Sequence, residues 1–172
     1  PRFEISGRAM MNQVGKLTGL MSEILFNSKL TDVGRLKEIV DENVSRMQMA
    51  VNSAGHAVAV SRAASYFSES GAFKEMLTGV DYYRFMKELA KNFDSCADTV
   101  VACLREAARF IFRKDNMMVD FTGRPEDLAI ANEALQGFDG RLFADIPQKE
   151  VFTFETCHKN EGFITPGMVQ YD

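Results

Sequence analysis

The segment that most constrains this chain is Thr31 to Phe67, TDVGRLKEIVDENVSRMQMAVNSAGHAVAVSRAASYF. Its apolar residues fall at Val33, Leu36, Ile39, Val40, Val44, Met47, Val51, Ala54, Val58 and Ala59, and steps of three and four are the helical period. The segment reads as one long helix, about 32–67, or as two abutting ones. Thr31 and Asp32 are both good N-caps. At about 1.5 Å per residue a helix running on to Phe67 would reach roughly 50 Å, more than a small domain is wide. A bend is therefore expected, and its place is Ala54-Gly55-His56. Before it the surface is charged (Arg35, Lys37, Glu38, Asp41, Glu42, Arg46); after it the chain turns small (Ala57, Ala59, Ala63, Ala64). The first half predicts an amphipathic surface helix with a solvated charged face, and the second a helix buried nearly all round.

The flanking segments follow from the same periodicities. Phe3 and Ile5 alternate with Glu4, Ser6 and Arg8, which predicts a half-exposed strand. A helix over 12–28 carries the stripe Val14, Leu17, Leu20, Met21, Ile24 and Leu25, in which Gly15 and Gly19 read as close packing. Residues 68–71 and 78–79 are breaks around a helical turn or two at 72–77. Asp81 is expected to cap a helix striped by Tyr82, Phe85, Met86, Leu89, Ala90 and Phe93. The next helix opens at Asp94 or Ser95 and carries Ala97, Val100, Val101, Leu104, Ala108 and Ile111. Met117 to Thr122 predicts a short strand, and Pro125, with Glu126 and Asp127 at the positive helix end, starts a helix through Gln136. Phe163 to Tyr171 alternates again. The order strand, helices, strand, helix, strand is helix-rich α+β, with a small sheet packed against several helices.

Composition excludes several classes. A formal charge of −4, a pI near 5.3 and no basic run longer than Arg113-Lys114 leave no footprint for nucleic acid. No apolar run approaches the roughly 20 residues that cross a bilayer, and Pro1-Arg2-Phe3-Glu4 is not a signal peptide. Cys96, Cys103 and Cys157 have no CxxC spacing, and on one helix Cys96 and Cys103 would stand about 10 Å apart, too far for a disulfide. A cytoplasmic or other reducing, soluble compartment is the inference. The start at Pro1 and the alternating segments near both ends lead to the expectation of a piece of a longer protein.

Candidates for chemistry are few. His158-Lys159-Asn160-Glu161-Gly162 has one His and one Glu of the inverted zinc-peptidase pattern, but Gly162 stands where the second His is needed, and the segment reads as a solvated turn. His56 reads as a packed or hydrogen-bonded structural histidine. Cys157 beside His158 lacks a third group for nucleophilic catalysis. Neither GxGxxG nor GxxxxGK[ST] occurs. The methionines, among them Met10, Met11, Met21, Met47, Met49, Met86, Met117 and Met118, are expected to fill the core.

Several separated segments, taken in order, resemble the presequence-protease branch of the pitrilysin/insulinase zinc metallopeptidases. They are Glu23-Ile24-Leu25, Asp32 with Arg35-Leu36-Lys37, Ser53 to His56, Ser61-Arg62-Ala63-Ala64-Ser65, and Gly79 before Tyr82-Tyr83. Ile111-Phe112-Arg113, Asn116 to Thr122, Asn160 to Phe163 and Val169-Gln170-Tyr171 continue the pattern. The resemblance implies a four-domain hydrolase whose halves enclose a chamber and degrade unfolded peptides, with zinc held by an HxxEH motif in the first domain. No HxxEH occurs in this sequence. No catalytic, metal or cofactor-binding residue is therefore carried over, and this chain alone is expected to be inactive. By resemblance, residues 1–145 are most of the third domain, a non-catalytic αβ roll with a mostly antiparallel sheet, and 146–172 are a linker and the first strand of the fourth. The implied partners are the remaining domains and peptide substrates. A strand cut from its sheet would also offer an edge for homodimerisation. The competing reading is a self-contained helical interaction module that uses the Ala54 to Ala64 face.

Overall fold

The computed structural model describes residues 3–144, 151–156 and 159–164. Its helices are α1 (Val14–Asn27), α2 (Val33–Ser53), α3 (Gly55–Ala64), α4 (Glu69–Thr78), α5 (Val80–Lys91), α6 (Phe93–Ile111) and α7 (Leu128–Asp139), with short 3-10 turns at Met11–Gln13, Lys114–Asn116 and Pro125–Asp127. Packing divides the chain into two units, one of residues 1–31 and 99–149, the other of 32–98 and 150–172. The division falls inside α6. The linker expected to open at residue 146 begins among residues outside the described set, and most of the strand expected at 163–171 lies outside it too.

The expected α+β class is overturned: the described residues contain no strand and no sheet, only an isolated parallel bridge between Arg113 and Phe143. A strand needs a neighbour about 4.8 Å away to take its backbone hydrogen bonds. Alternation in the sequence shows only that one face lies on something apolar. At the start of the chain that something is α1 and the residue just past the end of α6. The Phe3 ring meets Phe112 edge-on at 5.3 Å, and a Cβ on Gly7 would come within 2.6 Å of Leu17 and 2.8 Å of Met21 on α1. Residues 117–120 are exposed and pair with no neighbour in a ladder.

In the first unit α1 packs on α7. Phe26 meets both Phe112 and Phe138 edge-on at 6.2 Å, while Arg141 stacks on Phe26 and donates to Ser22 and Asn27. The expected α1 stripe is half right: Leu17, Met21 and Leu25 are half-buried, but Leu20 and Ile24 face solvent. The 3-10 turn at Pro125 leads into α7, which runs through Gly137 to Asp139 rather than stopping at Gln136.

In the second unit the long helix does break where the composition shifts. Ala54 (φ −140°, ψ 47°) ends α2 and opens α3; its N–H donates to Ala50 and its carbonyl accepts from Ala57 and Val58. Asp32 caps α2 by accepting from Arg35 N–H at 3.0 Å. A cavity of about 90 Å³ lies beneath the break, lined by Met47, Ala50, Val51, Val58 and Gly79 among others. α5 packs on α2 and on α4, and Val40, Val80, Met86, Phe93 and Ala97 form the buried apolar set. The burial expected of α3 is not found: Ala57, Ala59, Val60, Ala63 and Ala64 are exposed. Small side chains suit close packing but also tolerate water. Of the methionines expected in the core only Met86 is fully buried among the described residues, and Met10, Met49, Met117 and Met118 are exposed.

The start of α5 is capped by Glu75 rather than by Asp81. The Glu75 carboxylate turns back from the last turn of α4, and its Oε1 accepts from the N–H groups of Val80 (2.7 Å) and Asp81 (3.2 Å). These are two of the donors that a helix start leaves without a backbone partner. Gly79 makes room for it, because a Cβ there would collide with the Glu75 carboxylate. Gly79→Ala should therefore expel the carboxylate and cost about 1–3 kcal/mol, read as a lower urea midpoint with an unchanged slope.

Candidate functional site

The most organised polar feature is a buried arginine. Arg62, in the last turn of α3, is 3% exposed. An isolated buried charge is costly, and a guanidinium survives burial only when its fork is matched by acceptors. Three carboxylates supply them. Nη1 donates to Glu75 Oε1 (2.8 Å) at the end of α4 and to Asp81 Oδ2 (2.7 Å) in the first turn of α5; Nε donates to Glu161 Oε1 (2.5 Å). The Tyr66 hydroxyl also donates to Glu161, and the Tyr66 ring lies 5.8 Å from the guanidinium. Arg84 reaches Asp81 from outside at 3.5 Å. Arg62 Nη2 and Glu75 Oε2 are buried without a hydrogen-bond partner among the described residues. A cavity of about 380 Å³ adjoins the cluster, with Arg62, Tyr66 and Glu75 on one side and Phe152, Phe154 and Lys159 on the other.

The electrostatics suit holding rather than reacting. Burial opposes the Arg62 charge, but the bonds from Glu161, Asp81 and Glu75 outweigh it and raise its pKa further. The hydrogen bond from Arg62, then that from Tyr66, pulls the Glu161 carboxyl down to about 2, and Glu161 in turn raises the Tyr66 phenol. Each shift moves a proton away from neutral pH. A general acid or base works best with a pKa near its operating pH, so these groups are poorly placed for proton transfer: Arg62 and Glu161 stay ionised and paired, and the Tyr66 phenol stays protonated.

The residues singled out from sequence are not brought together. His56 is exposed in the first turn of α3, not packed. Cys96 and Cys103 share α6 as unbonded thiols, Cys96 half-buried and Cys103 exposed. Cys157 and His158 lie outside the described residues. Glu161, read as part of a solvated turn, instead has a side chain only 21% exposed and holds Arg62. No group of three or more His, Cys, Asp and Glu side chains able to hold a metal occurs among the described residues. Where three carboxylates do converge, a guanidinium fills the space between them, so they do not fit zinc.

Arg62, Glu75 and Asp81 went unrecognised as a cluster because their partners come from different elements. One signal was present: Arg62 is the one formally charged residue between Ser53 and Phe67. The fold is thus a helical assembly with an internal charge hub and no recognisable reaction centre among the described residues.

Comparison with known proteins places it. A family model for the region associated with peptidases of metallopeptidase family 16, subfamily C, matches residues 1–89. Protein HypA of Clostridium perfringens is 31% identical over 171 residues, which is 99% of this chain and 17% of that protein. The mitochondrial presequence protease of Drosophila melanogaster is 34% identical over 132 residues, 74% of this chain and 12% of that protein. Presequence protease 1, chloroplastic/mitochondrial, of Arabidopsis thaliana is 24% identical over 169 residues, 97% of this chain and 16% of its own. The chain belongs to this peptidase-associated family, and its relatives include presequence proteases, as its residues led one to expect. It spans less than a fifth of the length of each of these relatives. No helix among the described residues is long and apolar enough to cross a membrane.

The Glu161 pKa gives the hub a pH signature. Its folded value, about 2, lies below the ordinary 4.5, so its stabilisation is complete above about pH 4.5 and is lost as pH falls through about 2. The melting-temperature gap between the native chain and Glu161→Gln should hold steady from pH 7 to 5. It should then narrow as the pH approaches 2, as followed by circular dichroism.

Proposed function

We propose that this chain is a non-catalytic part of a zinc-dependent peptidase that degrades unfolded peptides, where it forms part of the wall of an enclosed chamber. One observation carries the reading: nearly the whole chain, and not a short motif, aligns with a limited portion of much longer proteins, two of the three named as presequence proteases. A charge hub that fixes helices rather than moving protons suits a supporting part. Zinc belongs, on this reading, to residues elsewhere in the parent protein, and no step of the chemistry runs through this chain. Residues 1–145 belong to the supporting region, and 146–172 form the passage to the next. The partners are the other domains of the parent and, in the assembled enzyme, its peptide substrates. The unbonded thiols of Cys96 and Cys103 favour a reducing compartment.

The exposed face of α3, with Val60 70% exposed, supports a second reading: a self-contained helical module that binds a partner helix. Paired measurements separate the two. Zinc content and cleavage of an unstructured fluorogenic peptide would be followed for the 172-residue chain and for the longer gene product containing it. Zinc and turnover in the longer product alone are expected. Zinc-dependent turnover by the chain itself would overturn the supporting role, and silence in both would favour the interaction module.

A further inference from the structure

Residues 151–156 and 159–164 belong to neither helix nor ladder, and no backbone–backbone hydrogen bond among the described residues ties them to the helices they cross. Side chains hold them instead, three of which stand out among the described residues. The Phe154 ring sits 4.8 Å from Phe73 of α4. Glu161 accepts from Arg62 of α3 and from the Tyr66 hydroxyl beyond the end of that helix. The Phe163 ring lies 5.5 Å from the Arg84 guanidinium of α5. Around these anchors the segment faces water: Val151 is 86% exposed, Phe152 71% and Ile164 100%.

The anchors are unequal. The Phe154–Phe73 contact is half-buried and Phe163 is exposed, and neither ring carries a hydrogen bond; the Glu161 bond reaches the buried guanidinium. Arg62 is also less dependent on Glu161 than the segment is. Without it, Nη1 would still be held by Glu75 and Asp81, and both of those come from the helices themselves. The cavity of about 380 Å³ lies between the two parties, with the segment's Phe152, Phe154 and Lys159 forming one wall. That cavity is already partly open to solvent, so water standing in it could take the Nε proton of Arg62 as a hydrogen bond once Glu161 left.

We propose that the segment carrying residues 151–156 and 159–164 is a detachable strap, latched by the Glu161 carboxylate on Arg62, whose release uncovers the guanidinium while α3, α4 and α5 stay folded. Local opening of this kind is drawn from segments with few buried contacts and no protected backbone bonds. The proposal stands apart from the peptidase reading.

Hydrogen exchange followed by mass spectrometry on the full chain tests it. In the native chain, peptides covering 151–164 should exchange at least about tenfold faster than those of α3 to α5, and Glu161→Ala should remove their remaining protection while α3 to α5 stay protected. Tyr66→Phe, which removes the hydroxyl's donation to Glu161 and leaves the Glu161–Arg62 bond in place, should give a smaller rise in exchange in the same peptides. Loss of protection in α3, α4 and α5 together with 151–164, an unfolded Glu161→Ala chain, or no change in 151–164 would each overturn the proposal. The first two would make Glu161 part of the helical core, and the third would make the ring contacts sufficient without the latch.

Discussion

A guanidinium taken out of water sets the terms for the second unit. The cost of removing such a charge from solvent amounts to several kcal/mol unless paired groups return it, and Arg62 is 3% exposed. Its acceptors come from α4, α5 and the segment after residue 150, so the arginine fixes where those elements meet α3. A hydrophobic contact would allow them to slide; a forked donor with three acceptors specifies direction as well as distance. The pairing also explains why α3 can be so open on its outer face. The helix is held through one long side chain rather than through an apolar stripe.

Glu75 links this hub to the helix geometry. The same Oε1 accepts from Arg62 and from the first two N–H groups of α5, so a side-chain ion pair and a helix cap share one atom. The positive end of the α5 dipole and the guanidinium both favour the carboxylate. Gly79 is where the backbone yields space for the arrangement. The α4–α5 turn is therefore determined by charge and by the absence of a side chain, not by a special backbone conformation: Gly79 has φ −91° and ψ −162°.

Periodicity made much of the helical skeleton legible. The stripes over 14–25 and 97–111 led to α1 and α6, and the loss of charged residues at Ala54 marked the break between α2 and α3. The segments expected to be strands in the first ten residues and at 117–122 were misread because a two-residue alternation describes a surface and not its neighbour. Phe3 and Gly7 lie on side chains of helical or irregular segments, and no ladder forms. The buried α3 was misread because alanine is compatible with both core and solvent. The hub was the least legible part. Arg62 and Glu161 are 99 residues apart, a separation over which local pattern carries no information, and only the unusual position of a lone arginine among small residues hinted at it. Family resemblance pointed to Ser61–Ser65 and to Asn160–Phe163 as separate segments without saying that they touch.

The elbow at Ala54 has a consequence for wetting. The space between Met47, Val51, Val58 and Gly79 is a recess of about 90 Å³, partly open to solvent. Water can enter such a recess, so its mostly apolar lining is not fully withdrawn from solvent at the bend. The Ala54 junction is therefore where the α2–α3 angle sets how much apolar surface the second unit leaves wet.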